Sequence, residues 1–255
     1  MDTATLTILG GGFLLIAIIS FYLLGIKLIF IFLKTNRIQT FYLSLIFIFA
    51  GTAIVFLMLE QIILRHPCVP STIIPSSRSF FQYEDINAFW VAYLFAIIAY
   101  ISSSLAIFFA SVFTLTFFQN RSKRILLLPL LMLSGYIVTV LFAPHEFVFT
   151  GIDWAPEREE LTEIIMVCLF LPPIWALALL FFYLSLKMKQ KDNIRWRQTT
   201  LLGIAQMIIS IAYTVEVLNA PILLSLIARM GLSLYPAITY IGVITPKWTK
   251  RWLAE

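Results

Sequence analysis

Residues 8–33 read ILGGGFLLIAIISFYLLGIKLIFIFL, a stretch in which Lys27 is the single charged side chain. A helix of about 20 apolar residues crosses a hydrocarbon core about 30 Å thick. Backbone groups in lipid must be paired within the segment, and the stretch lacks the alternation of polar and apolar residues that is typical of a barrel strand. Residues 8–33 therefore predict a transmembrane helix.

The rest of the chain repeats this pattern. Hydrophobic residues make up 61% of the sequence and charged residues 12%, whereas about 25% of the residues of an average soluble domain are charged. Further apolar runs of crossing length lie at about 39–64, 88–118, 124–143, 161–186, 198–218 and 221–245, followed by a short basic amphipathic tail, 246–255. This pattern predicts that residues 1–255 form one domain, an all-α membrane protein built as a seven-transmembrane helix bundle.

The basic residues are concentrated in alternate connections between these runs, since in the second connection Glu84 and Asp85 offset Arg65 and Arg78, and in the fourth five acidic residues outnumber Arg158. The basic residues of the other segments are Lys34 and Arg37 in the first connection, Arg121, Lys123 and Arg124 in the third, Lys187, Lys189, Lys191, Arg195 and Arg197 in the fifth, and Lys247, Lys250 and Arg251 in the tail. By the positive-inside rule these segments are cytoplasmic. We therefore expect a multi-pass protein of the cell membrane with its amino terminus outside and its carboxyl terminus in the cytoplasm. The lipid bilayer is its expected partner, and the net charge of +5 reflects topology and does not indicate binding to nucleic acid.

Ionisable and polar side chains at depth are the candidate ligand-binding residues, because such groups are costly in lipid unless they are paired or hydrated. Arg229 lies about 12 Å inside the seventh span at 1.5 Å per residue. Glu216 and Glu60 lie near the outer ends of the sixth and second spans, where either could face Arg229, and Gln206 could complete a polar patch. The group predicts either an outward-facing ligand pocket or a structural ion pair that fixes helix packing.

Trp175 extends this candidate site to the fifth span. It lies at mid-depth beside Pro172 and Pro173, which free backbone carbonyls and can kink the helix. Its ring either packs within the bundle or forms part of the pocket. Residues Ser102, Ala106, Ala110 and Thr114 recur every fourth position on the third span and predict close helix packing.

No pattern in the sequence indicates an enzyme. The two histidines, His66 and His145, fall in or near outer connections, and no His, Asp or Glu cluster has metal-ligand spacing. A nucleophile elbow and a phosphate-binding loop are also missing. We therefore expect no catalytic residues, no cofactor and no metal.

The layout resembles the amino-terminal seven-helix sensor region of bacterial and archaeal membrane histidine kinases. The features that carry this resemblance are the long third span, an acidic outer connection before the fifth, the run Arg195-Trp196-Arg197-Gln198 at the sixth, and Pro246-Lys247-Trp248 after the seventh. The resemblance implies a ligand-sensing bundle coupled to a cytoplasmic output. The chain ends where the kinase domain of that family begins, so the expected output is a separate partner.

A second resemblance is to rhodopsin-like receptors. Ala228-Arg229-Met230-Gly231 is similar to the segment that carries the retinal lysine of microbial rhodopsins, but an arginine cannot form the Schiff base. The leading hypothesis is a receptor-like sensor that binds a small or lipid-like ligand from the outer side and signals to a cytoplasmic partner. A small-molecule transporter or permease and a lateral membrane scaffold are the alternatives.

Overall fold

A computed structural model describes the backbone of residues 3–64, 88–116, 127–142, 146–149, 154–157, 160–189, 193–217 and 222–244. These residues form seven helices and one pair of short strands. The elements are α1 (Thr3–Thr35), α2 (Ile38–Leu64), α3 (Ala88–Leu115), α4 (Leu127–Phe142), β1 (Glu146–Phe149), β2 (Trp154–Glu157), α5 (Glu160–Met188), α6 (Asn193–Val217) and α7 (Ile222–Ile244). The tail 246–255 lies outside the described residues.

Six of these helices, α1, α2, α3, α5, α6 and α7, are long and apolar enough to cross a membrane. Helix α4 is apolar but shorter, with 16 described residues, or about 24 Å at 1.5 Å per residue. Large apolar side chains point outward over the bundle, among them Ile8, Leu23, Phe30, Leu179, Leu186 and Leu223. An apolar exterior of this kind fits a lipid solvent. The prediction of an all-α bundle that passes through a membrane several times is confirmed.

The helices form a ring in which neighbours along the chain are neighbours in space. Each of α1–α2, α2–α3, α5–α6 and α6–α7 packs as a pair, α7 returns to α1, and α4 lies against both α3 and α5. Pairs of cross-helix contacts show that successive helices run in opposite directions, because residue numbers rise along one helix as they fall along its neighbour. The pairs are Tyr22–Thr52 and Phe32–Phe41, Phe49–Phe109 and Phe56–Phe95, Tyr93–Val140 and Tyr100–Tyr136, Trp175–Thr214 and Ser185–Thr200, and Gly231–Ile208 and Gly242–Leu202. Helix α5 runs parallel to α3, because Phe170 and Ile107 line one cavity and Phe181 lies against Phe113. The chain therefore runs from one end of the ring to the other in seven alternating passes over its described helices.

The alternating direction of the helices gives the ring two ends, the basic end and the far end. The basic end carries Lys34, Arg37, Lys187, Lys189, Arg195 and Arg197. The far end is where α2 ends at Leu64 and α7 begins at Ile222.

A tight turn at the basic end joins α1 to α2. Asn36 has a φ of 51°, and its backbone amide donates to the carbonyl of Phe32 at 2.7 Å. Asparagine tolerates this left-handed conformation better than most residues and commonly follows the end of a helix. The turn makes α1 and α2 an antiparallel pair.

Helix α6 begins earlier than the apolar run predicts. The predicted span starts at 198, whereas the helix starts at Asn193 and carries Arg195 and Arg197 in its first turns. Apolarity marks where a helix meets the hydrocarbon, and a helix with a capping asparagine continues into the polar layer without further apolar residues. Arg195 and Arg197, which the sequence places in the fifth connection, therefore lie in the first turns of α6.

The connection between α4 and α5 contains a feature that the sequence did not predict. Strands β1 and β2 pair in antiparallel register, with Glu146 opposite Glu157 and Phe149 opposite Trp154. Strands of four residues are too short to give a clear alternating signal. The acidic connection is therefore in part a small hairpin at the far end.

The interior divides into two apolar clusters. The larger contains Phe21, Phe47, Phe181 and Tyr235 and joins helices α1, α2, α3, α5, α6 and α7. The smaller joins α3, α4 and α5 around Tyr93, Tyr136, Phe170 and Ile174. The larger cluster lies between polar groups near the far end and polar groups deeper in the ring.

Candidate functional site

Arg229 lies at the seam between α7 and α1. A Cβ built on Gly10 would stand 3.0 Å from Nη1 of Arg229, so the guanidinium rests directly against the glycine of the neighbouring helix. Residues Leu223, Leu224, Ile227 and Met230 of α7 are exposed on the outside of the bundle. Arg229 thus belongs to an otherwise apolar stretch of α7, and its guanidinium lies at the seam with α1. A guanidinium in such a stretch needs hydrogen-bonding partners.

Glu60 lies at nearly the same level on α2 and is 1% exposed. The hydroxyl of Tyr22 contacts Oγ1 of Thr52 at 2.9 Å, which sets the register of α1 against α2. Moving eight residues along each helix from this contact places Glu60 opposite residue 14 of α1, about one helical turn from Gly10. Both Glu60 and Arg229 make interactions within the protein. The two residues therefore belong to one layer near the far end, which we call the charged layer.

The remaining acidic candidate belongs to the same end of the ring. Glu216 lies in the last turn of α6, and α6 ends at the far end. Its side chain is outside the described residues. The structure therefore places Glu216 near the far end of the ring. An interaction of Glu216 with Arg229 stays a prediction.

Gln206 lies in a different layer from Arg229. It lines a small internal cavity of about 20 Å³ together with Thr114 of α3 and Tyr235 and Thr239 of α7. Tyr235 and Thr239 follow Arg229 by six and ten residues, or about 9 and 15 Å along the helix. We call Thr114, Gln206, Tyr235 and Thr239 the neutral layer, since it contains hydroxyl and amide groups and no charge.

Trp175 joins α5 to α6. Its Nε1 donates to Oγ1 of Thr214 at 3.1 Å, and that hydroxyl donates in turn to the carbonyl of Ser210 at 2.7 Å. Ser210 also lies 3.3 Å from the carbonyl of Ile174. Because the indole is engaged between two helices, the geometry supports the packing interpretation of Trp175 over a role in a pocket with Arg229.

An aromatic group lies between Arg229 and the deeper residues of the neutral layer, and it shares Tyr235 with that layer. The rings of Phe21, Phe47 and Tyr235 pack with centroids 5.6 to 5.7 Å apart. Phe21 and Phe47 are fully buried. This group, the aromatic triad, fills the ring interior along α7 between Arg229 and Thr239.

Helix α7 makes a further polar contact near the basic end. Nζ of Lys27 donates to the hydroxyl of Tyr240 at 2.7 Å and lies 4.4 Å from the centre of that ring. One helix therefore contacts α1 at Gly10, the aromatic triad, the neutral layer and Lys27.

Sequence reasoning missed two residues of these layers. Gly10 gives no signal by itself, because glycine in a transmembrane helix is common; its partner Arg229 is 219 positions away. Thr239 is one of many threonines. The contacts of both residues depend on which helices the ring places together.

Comparison of the chain with protein-family models, with curated proteins and with solved structures finds no match. Within the described part of the chain, no three His, Cys, Asp or Glu side chains lie close enough together to hold a metal ion.

Proposed function

We propose that the protein is a receptor-like membrane sensor. A small or lipid-like ligand with a carboxylate or phosphate group binds the charged layer around Arg229 and Glu60 near the far end. Binding displaces α7 relative to α1 and α6, and a cytoplasmic partner recognises the change at the basic end.

The observation that carries the proposal is the position of Arg229. A guanidinium presents a fork of donors that matches carboxylate and phosphate oxygens. Arg229 holds this fork about 10 Å inside an apolar helix, at a seam that is closed on the α1 side by Gly10. The exposed neighbours on α7 face outward toward lipid, which favours a lipid-like ligand that approaches between the helices.

The connection from this layer to the basic end runs through α7. A ligand shifts a protein between two arrangements only by binding one of them more tightly. Contacts of Arg229 with Gly10 and of Lys27 with Tyr240 hold α7 against α1 at both ends, and Pro236 removes one backbone hydrogen bond between them. These features support α7 as the element that a ligand biases.

The proposal includes an orientation. The far end faces outward and the basic end faces the cytoplasm of a cell-membrane protein, because short connections rich in Lys and Arg remain on the cytoplasmic side. Helix α4 serves as the seventh crossing. The basic connections then form the surface for a cytoplasmic signalling partner.

The resemblance to the sensor region of membrane histidine kinases stays a prediction, and it agrees with this assignment. That family couples a seven-helix bundle to a cytoplasmic output. The arrangement proposed here needs the same coupling across a single ring of helices.

The transporter alternative is less well supported by the described helices. Transporters often bind substrate between broken helices that meet near the middle of the membrane. Helices α5 and α7 contain Pro172, Pro173 and Pro236 and are continuous. The aromatic triad occupies the interior where such a path would run.

The experiment is a ligand screen on the purified full chain in lipid nanodiscs. The probes are fatty acids of increasing length, phosphatidylglycerol, phosphatidic acid and inorganic phosphate, and the measured quantity is the thermal midpoint, Tm. A ligand at 100 times its dissociation constant adds about 2.7 kcal/mol of stability, which raises Tm by several degrees. Arg229→Gln should abolish the rise.

Arg195→Gln is the matched control, because Arg195 is an exposed arginine at the basic end and should leave the rise unchanged. Arg229→Lys keeps a positive charge at this position. It should still weaken binding of the anionic probe, because lysine lacks the fork of donors of a guanidinium. A screen in which no anionic probe raises Tm, or a rise that persists in Arg229→Gln, contradicts the proposal.

A further inference from the structure

The neutral layer surrounds a cavity that the proposed ligand does not use. The cavity of about 20 Å³ is lined by Thr114, Gln206, Tyr235 and Thr239 and by apolar residues of α2, α3, α5 and α6. A cavity holds a water molecule when it offers at least 10 to 15 Å³ and two to four polar partners. The cavity meets the requirement for space.

Thr239 supplies the main chemical reason for an occupant. It is 3% exposed, and Oγ1 makes no hydrogen bond of good geometry with the described residues, although the Tyr235 hydroxyl interacts with it. Threonines in helices usually donate to the carbonyl four residues earlier, as Thr114 does to Ala110 at 2.7 Å. A buried hydroxyl without such a bond loses about 1 to 3 kcal/mol of solvation.

The other polar groups complement this hydroxyl. Thr114 lines the cavity and uses its proton on Ala110, so toward any further partner its hydroxyl acts as an acceptor. Gln206 brings a side-chain amide from α6, and Thr239 brings a hydroxyl from α7. Donors and acceptors from three helices therefore converge on one small space.

We infer that this cavity binds one ordered water molecule, which links α3, α6 and α7 through Thr114, Gln206 and Thr239. The water holds these helices together beside Pro236. The inference concerns the protein without any ligand, so it stands or falls separately from the proposed sensing role.

Thr239→Val tests the inference by the sign of its effect. Valine keeps the shape of threonine and removes the hydroxyl. With a bound water, the substitution deletes one of its partners and lowers Tm by roughly 2 to 4 °C. Without one, replacement of an unsatisfied buried hydroxyl by a methyl group leaves Tm unchanged or raises it, and either result overturns the inference.

A double-mutant cycle separates the water from the Tyr235–Thr239 interaction. Gln206→Met should also lower Tm, and the double variant should lose less than the sum of the two single variants, because both act on the same bridge. Additive losses would overturn the inference. The matched control is Thr139→Val, which removes a hydroxyl bonded only to the carbonyl of Gly135 on α4 and should not couple with Gln206→Met.

The same measurement distinguishes water from a cation. With water in the cavity, the Tm in sodium buffer equals the Tm in choline buffer at the same ionic strength. A sodium-dependent Tm that disappears in Thr239→Val would assign the cavity to a cation and overturn the inference.

Discussion

The charged layer and the neutral layer are two polar regions of one apolar bundle, and they differ in what holds their groups there. Arg229 and Glu60 are ionisable residues near the far end. Thr114, Gln206 and Thr239 carry hydroxyl and amide groups deeper in the ring, and the aromatic triad separates the two sets. A charge in an apolar helix is costly unless it is paired or hydrated, whereas a threonine or glutamine costs less and can bond to its own backbone.

The proposed function gives the two layers different roles. In that proposal the charged layer, at the seam between α7 and α1, recognises an anionic ligand. The neutral layer lies in the packed interior and has space for one water. The aromatic triad should keep the two layers independent. A substitution in the triad should remove that independence, and substitutions in α1 should measure how tightly Arg229 is held.

The largest effect is expected at the aromatic triad. Phe47 is fully buried and contacts both Phe21 and Tyr235, so Phe47→Ala should lower the free energy of unfolding by roughly 3 kcal/mol through the cavity that it creates. The variant should also couple the layers, so that Thr239→Val affects ligand binding at Arg229. Denaturant unfolding in mixed micelles measures the stability.

Phe30→Ala is the matched control, because Phe30 is 60% exposed on the lipid side of α1. It should change the stability by less than about 0.5 kcal/mol. Equal losses at Phe47 and Phe30 would mean that the triad does not pack as described.

A smaller effect is expected at the glycines beside Arg229. Gly11→Ala adds a Cβ that meets no atom within 4 Å and should stabilise α1 by up to about 1 kcal/mol through its higher helix propensity. Gly10→Ala places a Cβ 3.0 Å from the guanidinium, so the same gain should be largely cancelled. The difference in unfolding free energy between the two variants measures how tightly Arg229 rests against α1.

The rise in Tm on adding an anionic probe is the second measurement that compares Gly10→Ala with Gly11→Ala. Gly10→Ala should weaken the response to an anionic probe, and Gly11→Ala should retain it. If both glycines accept alanine with the same gain and the same response, Arg229 does not lie against Gly10 when the ligand binds.

The sequence was sufficient for the helices of the bundle, because length and apolarity determine what can cross lipid. Predicted spans such as 39–64 and 221–245 agree with α2 and α7 to within one residue at each end. Arg229 and Glu60 were also identifiable, since charges are rare in such segments. The early start of α6 and the hairpin lay in polar connections, where apolarity carries no information.

The neutral layer was beyond sequence reasoning for a physical reason. Gln206 was placed with Arg229 because both are polar, but a shared polarity does not determine depth or neighbours. The small-residue face on α3 contains Thr114 and predicted close packing there, yet the cavity exists only because α6 and α7 bring Gln206 and Thr239 to it. Convergence of three helices is a property of the fold.

The central claim is that the basic end faces the cytoplasm while the charged layer faces outward, and cysteine labelling tests it most directly. With Cys68 and Cys168 replaced by serine, single cysteines are introduced as Lys189→Cys at the basic end and Ala155→Cys in β2. A membrane-impermeant maleimide applied to intact cells should label Ala155→Cys and should label Lys189→Cys only after permeabilisation. Labelling of Lys189→Cys in intact cells, with Ala155→Cys protected, would contradict the orientation and the outward-facing site.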